Sequence, residues 1–240
     1  MWNNTLDDDN HTLHFAYRAE TNSSATDPWT VQSIAVPGGA DDHISIRALK
    51  ANASGQVFAA IKTSTPLTDP ITQTIALVGL VARDVDGTIS FHMYSRNTDK
   101  DTQPSLVLDE GDVANATDDK AYIFVSGKEG GSKICYKALA IKSPLATMGN
   151  FPTGDCGTSF IEDLTYKYIN HATSMKQNAN KTTGIVVLAS DDSIITTTKR
   201  NLVSLGSLVN TLTLDRVKLN FGDDQECVVE DSLANWRLSP

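Results

Sequence analysis

His43-Ile-Ser-Ile-Arg-Ala-Leu49, a polar turn, then Gly55-Gln-Val-Phe-Ala-Ala-Ile-Lys-Thr-Ser64 is the stretch on which the fold turns. Each half is a short apolar run bounded by turn residues, the pattern of two strands and a hairpin rather than a helix. The unit recurs. Gln103-Pro-Ser-Leu-Val-Leu-Asp109 with Lys120-Ala-Tyr-Ile-Phe-Val-Ser-Gly127 lies over it, and so does His171-Ala-Thr-Ser-Met-Lys176 with Thr183-Gly-Ile-Val-Val-Leu-Ala-Ser-Asp191. The starts at His43, Gln103 and His171 recur at intervals of about 60 and 68 residues.

A second recurrence links the units. An apolar strand ends in a cation and leads to an aromatic: Leu13 to Arg18 before Trp29, Ala76 to Arg83 before Phe91, Ile134 to Lys137 before Phe151. Strands are expected over 12–19, 29–36, 44–49, 56–63, 75–83, 88–95, 105–109, 121–126, 133–139, 184–190 and 193–198. Beyond residue 201 the pattern blurs: 202–214 suits a strand or a short helix, while 216–220 and 226–229 read as weak strands. Asp84-Val-Asp-Gly-Thr-Ile-Ser-Phe91 reads as a hairpin turn. Four short strands repeated at such a spacing are the trace of a β-propeller, so the expected fold is all-β, with four-stranded blades. Residues 1–240 then form one domain, with units at about 43–101, 102–170 and 171–240, and residues 1–42 supply outer strands of an incomplete first blade. Propellers close with roughly four to eight blades. Either the ring closes here with about four, or further blades or self-association complete it. A sandwich of many strands is the competing architecture.

At these residues the chain resembles a family of extracellular, mostly bacterial proteins with a sialidase-like β-propeller. The segments that carry the likeness are Asp41-Asp-His-Ile-Ser-Ile46, Val57 to Ser64, Gln103 to Asp109, Ile134 to Lys137, Thr173 to Gln177 and Thr183 to Ala189. They span residues 29–192. The family tends to carry an Arg where this chain has Gln103, and residues 193–240 match no expected ending. The resemblance implies secretion and a carbohydrate-related role without supplying a reaction.

Composition narrows the partners. With 20 Lys and Arg against 29 Asp and Glu the net charge is −9 and the pI about 4.9, which disfavours a phosphate-tracking surface, so nucleic acid is not expected. The longest apolar run, Ile75 to Ala82, is far short of the about 20 residues of a spanning helix. Met1-Trp2-Asn3-Asn4 shows neither the basic nor the apolar part of a signal peptide. Of three cysteines, Cys135 and Cys156 could pair and leave Cys227, or all could be buried thiols. Sequons begin at Asn3, Asn10, Asn22, Asn52, Asn115 and Asn180, and read first as loop markers.

In a propeller the first strand of each blade faces the axis, and ligands bind at one mouth. His43, Gln103 and His171 should therefore share a rim, with Ser45, Ser105 and Thr173 one pleat deeper. Lys62, Lys137 and Lys176 would add positive charge, Asp42 and Asp109 negative. Donors beside acceptors suit hydroxyl-rich or carboxylated sugars. The competing reading is a wet channel lined by polar residues.

A hydrolase of sialidase type needs three convergent Arg, and the seven here (18, 47, 83, 96, 200, 216 and 237) offer no such set. Asp42 and Asp109 are the weak candidates for a two-carboxylate glycosidase. No P-loop, GxSxG, HExxH or dinucleotide fingerprint occurs, so neither a cofactor nor a metal is expected. The function expected is glycan recognition at the channel mouth; an exo-glycosidase and a scaffold domain are the alternatives.

Overall fold

Neighbouring side chains of Val57–Lys62 enter two different cores: Phe58 and Ala60 face one, Ala59 and Ile61 the other. A strand alternates its side chains between two faces, so a strand buried on both reads as a continuous apolar run. The same holds for Ala76–Arg83, buried along its length until the final Arg. Such strands belong to sheets packed between other sheets.

The computed structural model describes residues 2–3, 13–18, 28–37, 39–41, 43–49, 55–63, 76–111, 119–127, 133–162, 169–174, 178–179, 185–191, 194–195, 198–199, 201–208, 214–221 and 227–230. The chain is mostly β, and among the described residues the strand ladders are antiparallel. The first sheet holds β1 (Trp2–Asn3), β2 (Leu13–Tyr17) and β3 (Thr30–Ile34). The second is a meander of β4 (Ile44–Ala48), β5 (Val57–Lys62), β6 (Ala76–Arg83) and β7 (Ile89–Arg96). The third is β8 (Thr102–Asp109), β9 (Lys120–Gly127), β10 (Lys133–Ala140) and β11 (Thr158–Glu162). There follow β12 (Ile169–Ser174), β13 (Ile185–Asp191), a hairpin of β14 (Ile194–Ile195) and β15 (Thr198–Lys199), then β16 (Asn201–Leu208), β17 (Leu214–Phe221) and β18 (Cys227–Glu230). β12, β13, β16, β17 and β18 form the fourth large sheet. Among the described residues the only helical elements are 3₁₀ turns at Asn97–Asp99 and Leu145–Thr147, and no helix is long and apolar enough to cross a membrane.

The sheets stack face to face in chain order. Leu13, Phe15 and Ile34 of the first meet Ala59, Ile61 and Val81 of the second. Phe58, Leu80 and Tyr94 of the second meet Leu106, Ile123 and Cys135 of the third. Val107, Phe124 and Ile134 of the third meet Ile185 and Val187 of the fourth. Close approach needs glycine at two points. A methyl group on Gly79 would lie 2.3 Å from the Phe91 ring, and one on Gly127 would lie 2.7 Å from Cys156 Sγ. Cys135 and Cys156 form a disulfide that fastens the 141–157 connection onto β10.

The strand-ending cations lock the layers. Arg83 lies over Phe15 and Tyr17 of the first sheet, and its Nε donates to Gln32 Oε1. Lys137 lies over Tyr94 of the second. Arg18 lies over Trp29 within its own sheet. The turn at Asp84 is the expected hairpin, and Asp84 also joins three segments: its carboxylate accepts from Gln56 Nε2, Val85 N and Leu145 N.

Of the two readings open for 202–214, the described residues take the strand: 202–208 belong to β16 and Leu214 begins β17. Sequence expectation and structure differ at three places. β8 begins at Thr102 rather than Ser105, because Pro104 sits in a bulge where no ladder bond is asked of it. β11 was not expected, since five residues beside a disulfide loop leave little periodicity to read. The 193–198 strand is a two-residue hairpin, β14 and β15. Of the sequon asparagines only Asn3 lies among the described residues.

Candidate functional site

The first strands of the second, third and fourth sheets pack on one another in order, β4 on β8 and β8 on β12. Two contacts fix the direction. Leu106 N donates to Ser45 Oγ (3.1 Å), while at the far ends Asn178 Nδ2 donates to both Ala48 O and Glu110 Oε1. β4 and β8 therefore run the same way, and their starts lie at one end.

His43 precedes β4, and its carbonyl accepts from Lys62 N at 3.1 Å. Lys62 Nζ pairs with Asp41 Oδ2 at 3.0 Å, and His43 Nδ1 stands 4.0 Å from Asp41 Oδ1. This trio is half-buried, and an ion pair in contact with water is worth little to stability, so its groups can trade partners with a ligand at small cost. Gln103 occupies the register break between Thr102 and Ser105, with φ at 53°, and its Oε1 accepts from Ser126 Oγ. His171 occupies the matching break at the start of β12, between Asn170 and Ala172. A bulge re-aims a side chain and disrupts pairing, and here it marks the same position in consecutive sheets.

Two expected members do not join this end. Lys137 is buried on the third strand of its sheet, donating to Tyr94 O (3.0 Å) and Gly154 O (3.2 Å), with burial holding its pKa below the usual lysine range. It serves packing between sheets. Asp109 ends β8, six residue steps or about 20 Å from Gln103, where it pairs in a bridge with Ala179 and accepts from Gly111 N. Asp42 and Lys176 lie outside the described residues.

Around Lys137 lies a second polar cluster that the sequence did not announce. Asp101 is 1 % exposed, and neither of its carboxylate oxygens has a hydrogen-bond partner. Desolvation lifts it to about 7, helped by Asp99 and Asp155; the nearby Ser95 hydroxyl, short of hydrogen-bond geometry, and Lys137 pull it back. Its members come from β7, the 97–101 turn, β10 and the 141–157 connection. The one visible sequence signal was the strand-ending Lys137 leading to Phe151.

No protein-family model matches the chain, and no curated protein is significantly similar to it.

Proposed function

We propose that this chain is a sialidase-like β-propeller that binds a glycan without hydrolysing it, at the end where β4, β8 and β12 begin. The observation that carries the reading is the equivalence of His43, Gln103 and His171, each at the start of the first strand of its sheet, two of them at bulges. Asp41, His43, Lys62 and Gln103 bring acceptors and donors to that end, the mixture that hydroxyl-rich ligands require. Binding without catalysis suits the distribution of acids, because Asp109 stands at the opposite end of β8 from Gln103 and two-carboxylate hydrolysis needs its pair within about 10 Å. A secreted setting is supported by the Cys135–Cys156 disulfide, a bond that persists in oxidising compartments. A ring closed by further blades or by a second copy fits the same strand order.

The test is a glycan array probed with the full chain and with His43→Ala and Gln103→Ala. The reading expects defined glycan hits that each variant weakens about tenfold, the loss of one good polar contact. Hits that survive both changes would remove the site. Release of a fluorogenic aglycone that Asp42→Asn abolishes would turn the reading toward a glycosidase.

A further inference from the structure

β3 (Thr30–Ile34) is the last strand of the first sheet. Its backbone bonds to β2 along one side, and among the described residues no hydrogen bond reaches its backbone from the other. The last strand of the second sheet, β7, is covered where β3 is not: Met93 is bonded on its outer side by Asn150 and Phe151. Edge strands commonly discourage pairing with a charge, a proline or a bulge. Thr30-Val-Gln-Ser-Ile34 holds no charge and no proline, and its register with β2 is unbroken. Pro28 and Pro37 lie outside it, so they bound the open edge without closing it.

The two faces of β3 differ. Gln32 and Ile34 point to the second sheet, where Gln32 Nε2 donates to Gly87 O and Ile34 enters the shared core. Trp29, Val31, Ser33 and Ala35 alternate with them and are exposed, Trp29 by 63 % and Val31 by 54 %. Two large apolar side chains two residues apart beside an open edge mark a contact surface rather than scattered exposure.

The residue order selects a second copy as the occupant. A two-fold axis perpendicular to the sheet sets β3 antiparallel to its twin and keeps every side chain on its own face. Centred on Gln32, the axis puts Val31 opposite Ser33 of the second copy and Trp29 opposite Ala35, so each large side chain meets a small one. No residue from Trp29 to Ala35 is charged, so the pairing sets no like charges against each other. The described arginines at this sheet, Arg18 and Arg83, are stacked on aromatic rings of their own copy. We infer that two copies of this chain pair edge to edge through β3, joining their first sheets into one continuous antiparallel sheet. The pairing uses no residue of the proposed glycan site and does not depend on how a ring of sheets would close.

The experiment is sedimentation equilibrium of the full chain combined with amide exchange read residue by residue. A ladder of five residues is a small interface, so the mass should rise from 25.9 kDa toward twice that value with Kd of the order of 10–100 µM. It should stop there, because an isologous contact closes on itself. In β3 the alternate amides that do not donate to β2 should gain protection as the concentration rises. Val31→Lys and Ser33→Lys, exposed changes that leave the core alone, each bring a cation into the seam and should weaken pairing at least about tenfold while the monomer keeps its circular dichroism. A mass that stays at 25.9 kDa at about 500 µM would overturn the pairing and leave the edge to a strand from another protein. Growth beyond two copies, association without new protection in β3, or undiminished association of both Lys variants would overturn it equally.

Discussion

The Leu106 amide donates to the Ser45 hydroxyl at 3.1 Å, a bond between the first strands of two sheets that belongs to neither ladder. Leu106 is fully buried, so this bond is shielded from water, and Ser45→Ala, which removes its acceptor, should cost about 1 kcal/mol, read as a lower urea midpoint at unchanged slope. An unchanged midpoint would show that the two strands need no such tie.

Arg83 fastens the first sheet to the second by covering Phe15 at 5.0 Å and Tyr17 at 4.6 Å while its Nε reaches Gln32. A lysine keeps the charge and loses the flat face and the Nε donor. Arg83→Lys should destabilise by about 1 kcal/mol and speed hydrogen exchange in residues 13–17 and 30–34 before it does so elsewhere. Uniform exchange across all sheets would contradict this.

The disulfide closes a loop with a sequence separation of 21, for which the chain-entropy argument gives about 3 kcal/mol. Reduction, or Cys156→Ser, should lower the melting temperature accordingly. Thiol titration of the denatured, unreduced chain should find Cys227 alone. Gly127→Ala should be damaging through the same contact, because its methyl group would press on Cys156 Sγ.

Asp101 gives stability an unusual pH slope. Its pKa in the fold is about 7, against about 3.9 for an unfolded aspartate, so between those values the folded state holds the extra proton. Stability contributed by the neutral acid is complete below about pH 4 and declines as pH rises to about 7. Asp101→Asn should remove that slope and, at pH 8, stabilise the fold by roughly 2–4 kcal/mol. Urea unfolding at pH 5, 6, 7 and 8 decides the matter; parallel curves for the two proteins would refute it. Asp84 acts in the opposite sense. Its hydrogen bonds, from Gln56 first, hold its pKa down, so its contribution is present at neutral pH and fades in acid.

What could be read beforehand was whatever a period of two records. Apolar runs such as Ala76 to Ala82 and Ile123 to Val125 declared their strands because both faces are buried, and the recurrence of His43, Gln103 and His171 marked equivalent strand starts. What stayed hidden depends on contacts between residues distant in the chain. Lys137 looked like any strand-end cation until Tyr94 and Gly154 closed around it. Ser95 and Asp101 carry no motif, and their burial is imposed by the 141–157 connection. Asp109 and Gln103, close in sequence, are separated by the length of β8, which only the extended strand makes visible.

That connection also runs along β7, where Met93 N donates to Asn150 Oδ1 and Phe151 N donates to Met93 O. With its outward amide and carbonyl engaged at Met93, the edge is less able there to serve as a template for strands from other molecules. Coverage by residues 149–151 thus makes this stretch of the border a poorer site for fibril-like growth.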